Sequence, residues 1–424
     1  MSVSQTNSLP AGAHSPLMTT YRPPVVRRTD WINPLVMLSL AAIGVLFIKS
    51  AERISGGSEW EQQIIWLVVG ATFYFALASL DYHIWVKYAW VVYLGSIVLL
   101  LLLWSRLGQV RGGDQVGSGA RRWLGFGSYT IQPSEFAKIG TIIMLSFVLA
   151  KSSLGNFRDS LAMLGKIAVL VAVPMMLIFL QPDLGSSLAL FPTVFALLYV
   201  SNLSARFFVT VFGLFLLGVS LLWVDVKHYE NFLQVNHLTA QEAHGQYEKL
   251  SWLPLKDYQR DRVASFLDPT LVDPQGIGVG WNQKQSLIAV ATGGLTGKGY
   301  QNGIQARLGY LPRRVATSDF IMAVFLEETG FIGGLAVIGL YAILLGNTLR
   351  IAWLARDRFG QLLCVGVAVL FMVHVFVNIG MVQGLMPVKG IPLPLMSYGG
   401  SFVLTCCILM GLVQSVYRNS REAV

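Results

Sequence analysis

Charge is scarce in this sequence. Only 12% of its 424 residues are Asp, Glu, Lys or Arg, whereas 54% are hydrophobic. Soluble domains carry roughly 25% charged residues, so a water-dispersed enzyme of this length is excluded for want of polar surface. Cysteine is nearly absent too. Cys364, Cys406 and Cys407 all lie in apolar runs without a CxxC pair, which argues against a disulfide framework or a thiolate metal site. Acidic residues are the minority: 31 Lys and Arg stand against 22 Asp and Glu, a net charge of +9. The basic residues fall between apolar blocks and not along one continuous face, so nucleic acid is not an expected partner. Residues 1–31 are polar and contain proline, with Arg22, Arg27 and Arg28 ahead of the first apolar run. No short apolar core followed by a small-residue cleavage site is found there, so the first span is expected to be a retained anchor.

What is abundant is apolar sequence in blocks of about the 20 residues that a membrane-spanning helix needs. Ten such spans fall near 32–49, 60–80, 84–105, 131–150, 166–181, 184–201, 205–224, 318–346, 361–384 and 396–417. The fold class is therefore an all-α polytopic membrane protein of about ten helices. The Gln181-Pro182-Asp183 step leaves open whether two spans or one bent helix run through it. The domain plan is an N-terminal tail (1–31), spans one to seven (32–224), a large loop (225–317), spans eight to ten (318–417) and a C-terminal tail (418–424).

Orientation follows from Lys and Arg in the short loops. An N-terminus inside puts Arg22, Arg27, Arg28, Lys87, Lys151, Arg158, Arg206, Arg350, Arg356, Arg358, Arg418 and Arg421 in the cytoplasm. The opposite short loops hold fewer, among them Lys49, Arg53, Arg106, Arg111, Arg121, Arg122 and Lys389. Both termini are thus expected in the cytoplasm and the 225–317 segment outside. The 106–130 loop, also outside, reads as a glycine-rich connection.

Several residues stand out against this apolar background. Glu135 and Lys138, spaced i, i+3, share a helix face at membrane depth, and Asp183 opens another span. Such charges either hold the bundle together as internal pairs or line a cavity for an anionic headgroup. The outer basic set is Arg121, Arg122, Arg260, Arg262, Lys284, Lys298 and Arg307. Guanidinium groups and glycine-exposed backbone N–H groups suit a pyrophosphate, but a flexible loop with solvated charges would read the same way. GGLTGKG at 293–299 is not a nucleotide-binding P-loop, because Thr292 and Gly299 break its spacing. Asp268-Pro269 and Asp273-Pro274 are either turn chemistry or the site of a general base. Asp319, Glu327 and Glu328 either line the same cavity or charge a helix N-terminus. His237, His244, Glu242 and Glu248 lack any zinc-binding spacing, and His374 reads as a satisfied polar residue in the bundle.

The end of the chain is the most specific segment. NIGMVQGLMPVKGIPLPLMSYGGS at 378–401 closely resembles the signature of the RodA/FtsW family, the shape, elongation, division and sporulation proteins. GARRWL (119–124), QPSEFAK (132–138), QPDLGSS (181–187), YQRDR (258–262), the Asp273-Pro274 step leading to Gln285-Ser286, GGLTGKG (293–299) and SDFIMAVFLEETG (318–330) agree in order. GIPLPL at 390–395 is more similar to the elongation branch, RodA, than to the division branch.

The resemblance implies a ten-helix glycosyltransferase of the bacterial cytoplasmic membrane, polymerising lipid II onto a growing glycan strand during elongation and rod-shape maintenance. It implies partnership with a class B penicillin-binding protein and other elongation-complex membrane proteins. The family's essential Asp-Pro-x-Gly aspartate maps onto Asp273, the expected general base. Arg122, Lys138, Asp183, Arg260, Arg262, Gln285, Ser286 and Lys298 are the expected substrate-binding residues. A divalent cation, Mg²⁺ or Mn²⁺, is compatible with the leaving pyrophosphate, though no dedicated cage is visible; no organic cofactor is implied. Three stretches depart from the family: the Asp273 loop carries an extra Gly-Val-Gly-type step, residues 225–255 are longer than usual, and one motif is altered. Where the family reads Leu-Pro-Glu-x-His-Thr-Asp-Phe, this chain has LPRRVATSDF at 311–320, two residues longer, with Arg313 in place of the glutamate and no histidine. A flippase for the same lipid, or a scaffold that only recruits the transpeptidase, are the alternatives.

Overall fold

The computed structural model describes residues 29–420, apart from 55, 106–107, 111–120, 127–128, 153–156, 182, 237, 239–241, 244, 254, 256, 258–259, 262 and 265–279. Among the described residues, nine helices are long and apolar enough to cross a membrane, and a tenth apolar helix is shorter. They are α1 (Ile32–Ala51), α2 (Glu59–Ser79), α3 (Ile84–Leu101), α4 (Pro133–Ala150), α5 (Phe157–Phe179), α6 (Leu184–Val200), α7 (Ala205–Val235), α10 (Ile321–Leu354), α11 (Arg358–Val382) and α12 (Gly400–Arg418). The short one is α6. It begins directly after Asp183, so the Gln181-Pro182-Asp183 step does separate two helices.

The helices are layered by how apolar surface is divided between protein and lipid. α4, α11 and α12 bury most of their residues and form the interior, with α2 packed along α12 and α3 along α4. Phe73, Val91, Phe212, Leu335 and Phe376 stay exposed on the perimeter, as expected where the surrounding solvent is hydrocarbon and backbone polar groups are satisfied within each helix. α7 lies outermost, with none of its apolar window buried.

Two stretches differ from expectation. The 106–130 loop carries an antiparallel sheet of order β1 (Gly108–Val110), β2 (Arg121–Phe126), β3 (Tyr129–Ile131), with Leu124 opposite Gly108 and Ile131. Its short strands are punctuated by glycine, which hid them in the sequence. α7 does not stop near 224 but continues to Val235. Its polar extension has its own buried face, Asp225, Val226, Tyr229, Glu230 and Leu233, at helical spacing. Two further helices, α8 (Trp281–Gly293) and α9 (Arg313–Thr317), lie between α7 and α10.

α10 is broken at Gly330, whose φ of 69° and ψ of −165° interrupt the helix. The GGLTGKG loop fills the break. Phe331 N–H donates to the Gly294 carbonyl at 2.9 Å and Ile332 N–H to Leu295 at 3.1 Å, while Lys298 and Gly299 N–H reach the Glu327 and Glu328 carbonyls at 3.0 Å. The loop thus replaces the ladder bonds that the break removes. The approach leaves no room for side chains: a Cβ on Gly330 would lie 2.4 Å from the Gly297 nitrogen, and one on Gly297 2.1 Å from the Glu328 oxygen.

Candidate active site

The first residues of α4, α6 and α12 and the turn before α10 meet at one end of the bundle. Gln132 N–H donates to Ser401 Oγ at 2.9 Å, joining the starts of α4 and α12. Ser397 Oγ donates to the Ser318 carbonyl at 2.6 Å, and Asn378 Nδ2 to those of Asp319 and Ile391 at 2.8 and 2.7 Å. Asp183 caps α6, accepting from Ser186 N–H at 3.2 Å, and its other oxygen accepts from Gln132 Nε2 and Ser134 Oγ, each at 3.0 Å. Several helix N-termini aimed at one place present backbone donors and positive dipole ends, a ready site for an anion.

Arg122 enters this site from β2, its Nε donating to the Gln181 carbonyl at 3.0 Å. Asp319 lies in the turn ahead of α10, outside the spans. Burial pushes its carboxyl up to about 6, the Asp183 carboxylate adds to the rise, and Ser318 and Arg122 oppose it. Its Oδ2 lies beside Gly390 in the signature loop, and Lys389 precedes that glycine. Cationic, carboxylate and amide groups therefore converge with a hydrogen-bonded floor beneath them.

Lys138 lies deeper and is fully enclosed. Its ammonium contacts Glu135 Oε1 at 2.8 Å and His374 Nε2 at 3.3 Å, and sits 5.4 Å above the Phe402 ring. The structure thus shows Lys138 as an internal pair beneath the floor. His374, read from the sequence as a satisfied polar residue, is its partner.

The remaining expected residues divide by surroundings. Arg260 is fully buried: Nε reaches Asp225 at 2.7 Å, Nη1 reaches Asp257 at 3.3 Å and the Leu255 carbonyl, and Nη2 reaches Ser251 at 2.6 Å and the Leu253 carbonyl at 3.0 Å. All five donors are engaged in tying α7 to the segment beyond it. Lys298 pairs with Glu327 at 2.6 Å, half within the loop that fills the α10 break. Gln285 and Ser286 are buried in α8, and Ser286 Oγ donates to the Val382 carbonyl at 2.9 Å. Asp268, Asp273 and Arg262 lie outside the described residues. Glu327 and Glu328 accept backbone N–H groups of 301–305, so they brace the loop. Sequence reasoning missed Gln132, Ser134 and Asn378; the polar residues inside otherwise apolar helices were the available signal. Among the described residues no group of three or more His, Cys, Asp or Glu could hold a metal ion.

Comparison with known proteins identifies relatives over nearly the whole chain. A model of the FtsW/RodA/SpoVE family, described as "Cell cycle protein", matches residues 30–422. The chain is 33% identical to the peptidoglycan glycosyltransferase RodA of Treponema pallidum (strain Nichols), covering 93% of this chain and 98% of the relative. It is also 33% identical to the peptidoglycan glycosyltransferase MrdB of Escherichia coli (strain K12), covering 91% and 93%. A solved peptidoglycan synthase complex, reported as coordinating polymerization and crosslinking, has a chain similar at a TM-score of 0.71 and 28% identity, covering 92% and 98%. The crystal structure of Thermus thermophilus rod shape determining protein RodA shares the fold at a TM-score of 0.61 and 23% identity, covering 94% and 100%.

Proposed function

The chain belongs to the FtsW/RodA/SpoVE family, and on that footing we propose that it is a peptidoglycan glycosyltransferase of the elongation branch, polymerising lipid II in the bacterial cytoplasmic membrane. The observation that carries this reading is the meeting of helix N-termini on a hydrogen-bonded polar floor, beside an apolar groove of about 800 Å³ between α6, α7 and α11. Leu188, Phe195, Phe212 and Val377 line the groove, and Lys389 contributes to its wall. An apolar trough of this kind suits a polyprenyl chain.

In the proposed chemistry, Asp273 takes the proton from the GlcNAc 4-hydroxyl of one lipid II. The freed oxygen attacks the anomeric carbon of the growing strand, the bond to pyrophosphate breaks, and the α linkage inverts to β-1,4. Base catalysis of this kind contributes ~10²–10⁴-fold. Arg122, Lys389 and the helix N-termini receive the negative charge that leaves on undecaprenyl pyrophosphate, and Arg262 and Lys298 are further candidates for that role. Asp183 and Lys138 hold the floor from below. Both termini lie in the cytoplasm, the end bearing Asp183 and Asp319 faces outward, and a class B penicillin-binding protein cross-links the product. The likeness to a chain of a peptidoglycan synthase complex supports that partnership.

The test is polymerisation of purified lipid II by the full chain, with and without its class B partner. Asp273→Asn should abolish glycan strands while leaving the protein folded and partner-bound; an active variant removes Asp273 as the base. Lipid movement across liposomes without any polymer would replace the enzyme reading with a flippase.

A further inference from the structure

A second cavity adjoins the polar floor at Ser318. It is a polar cleft of about 510 Å³ between the α1–α2 turn, α9, β2 and the start of α12, within the roughly 300–1,000 Å³ typical of small-molecule sites. Its wall includes part of the LPRRVATSDF segment, residues 311–320. Pro312 starts α9, so Arg313 and Arg314 stand together at the cleft.

The two arginines are not equivalent. Arg313 lies 3.7 Å from Glu59, whose other oxygen accepts from Thr317 Oγ at 2.6 Å. Arg314 is exposed, and among the described residues no acidic group lies within ion-pair distance of it. Trp66, Trp123 and Tyr398 supply aromatic surface. Trp66 lies flat against Gly400, where a Cβ would meet the indole at 2.2 Å. The cleft opens toward the catalytic floor through Ser318 and Tyr398, whose N–H donates to the Thr317 carbonyl at 2.9 Å.

We propose that this cleft binds an amino sugar whose attached peptide bears carboxylates, with Arg314 taking one peptide carboxylate and the three aromatic residues contacting the sugar. The proposal rests on the glycosyltransferase reading, in which it seats the peptidyl sugar of the substrate. Two arginines against one glutamate leave the charged lining with one net positive charge, which matches a single carboxylate better than a pyrophosphate. A guanidinium fork meets a carboxylate with two parallel hydrogen bonds, and sugar C–H faces suit aromatic walls that are half polar at their edges.

The experiment uses the full chain in detergent with its class B partner and two soluble probes. One is a disaccharide carrying a peptide with free carboxylates; the other is the same molecule with those groups amidated. Binding is followed by tryptophan fluorescence. The wild type should bind the acid about tenfold or more tightly than the amide. Arg314→Ala should erase that difference while leaving amide binding unchanged, and Arg314→Lys should restore part of it. In polymerisation, Arg314→Ala should raise KM and spare kcat. No binding by the wild type, or equal acid and amide binding, overturns the proposal, as does an unaltered preference in Arg314→Ala. Arg314-dependent probe binding in a protein that makes no glycan would leave the cleft standing and sink the glycosyltransferase reading; glycan synthesis indifferent to Arg314 would do the reverse.

Discussion

His374 fixes the position of Lys138. The Nδ1 of His374 lies 3.0 Å from the Pro392 carbonyl, which can only accept, so Nδ1 carries the hydrogen and Nε2 offers its lone pair to the Lys138 ammonium 3.3 Å away. Glu135 takes the ammonium from the other side at 2.8 Å. The signature loop is thereby connected to the charged pair beneath the floor through one imidazole.

Removing that acceptor should be costly. His374→Leu leaves a buried ammonium short of one partner, at about 1.5–3 kcal/mol for a hydrogen bond to a charged group. A lower thermal midpoint in detergent and weaker polymerisation are expected. His374→Gln, which keeps an acceptor oxygen, should recover most of both. Equal midpoints for the two variants would show that packing against Phe402, and not the hydrogen bond, is what His374 provides.

The broken helix offers a paired test. Gly330→Ala forces a side chain into a backbone region reserved for glycine, about 1–3 kcal/mol, and drives its Cβ against the Gly297 nitrogen. Gly339 lies in the same helix, and a Cβ there would meet nothing within 4 Å. Gly339→Ala should therefore be neutral or mildly stabilising. Thermal unfolding of the two variants separates the break from ordinary helix propensity.

Arg260 should behave as a local strut. Arg260→Met leaves the Asp225 carboxylate buried without its partner, a class of change that costs about 3–5 kcal/mol. Limited proteolysis should then cut the 236–264 region faster, while the helix bundle keeps its melting profile. Asp225→Asn made in the Arg260→Met background should slow the cutting again.

Asp319 sets a pH dependence whose sign is fixed by its raised carboxyl. The folded state holds the proton to about pH 6, whereas the ordinary value is 3.8. Between those values the folded form binds more protons than the unfolded one, so stability falls as pH rises through this window. Asp319→Asn should flatten that slope and raise the midpoint near neutral pH. A slope unchanged in the variant would assign the titration to another group.

Much of the bundle was legible from its residues, because a run of apolar side chains near 20 residues has few other uses. The start of α6 was marked by Pro182 and Asp183, and of the polar floor Asp183 stood out as a charge at the start of a span. What escaped depended on contacts across the chain. His374 and Lys138 are 236 residues apart, and nothing local in either segment signals the other. The break at Gly330 reads as one more small residue in a helix until the 293–299 loop is placed against it. Arg260 looked like an outward-facing cation because Asp225, its partner, sits 35 residues earlier on a helix expected to have ended.

The length of α7 has a mechanical consequence. At about 1.5 Å per residue its 31 residues make a rod of ~46 Å, against a hydrocarbon layer of about 30 Å. The part that protrudes is the part gripped by Arg260, by Tyr229 through Asp261 at 2.7 Å, and by Ser251 at 2.7 Å from Asp225. Ser251, Arg260 and Asp261 are therefore mounted on a mast that barely touches the rest of the bundle. A tilt of that mast carries them with it, with the lipid-facing root acting as pivot.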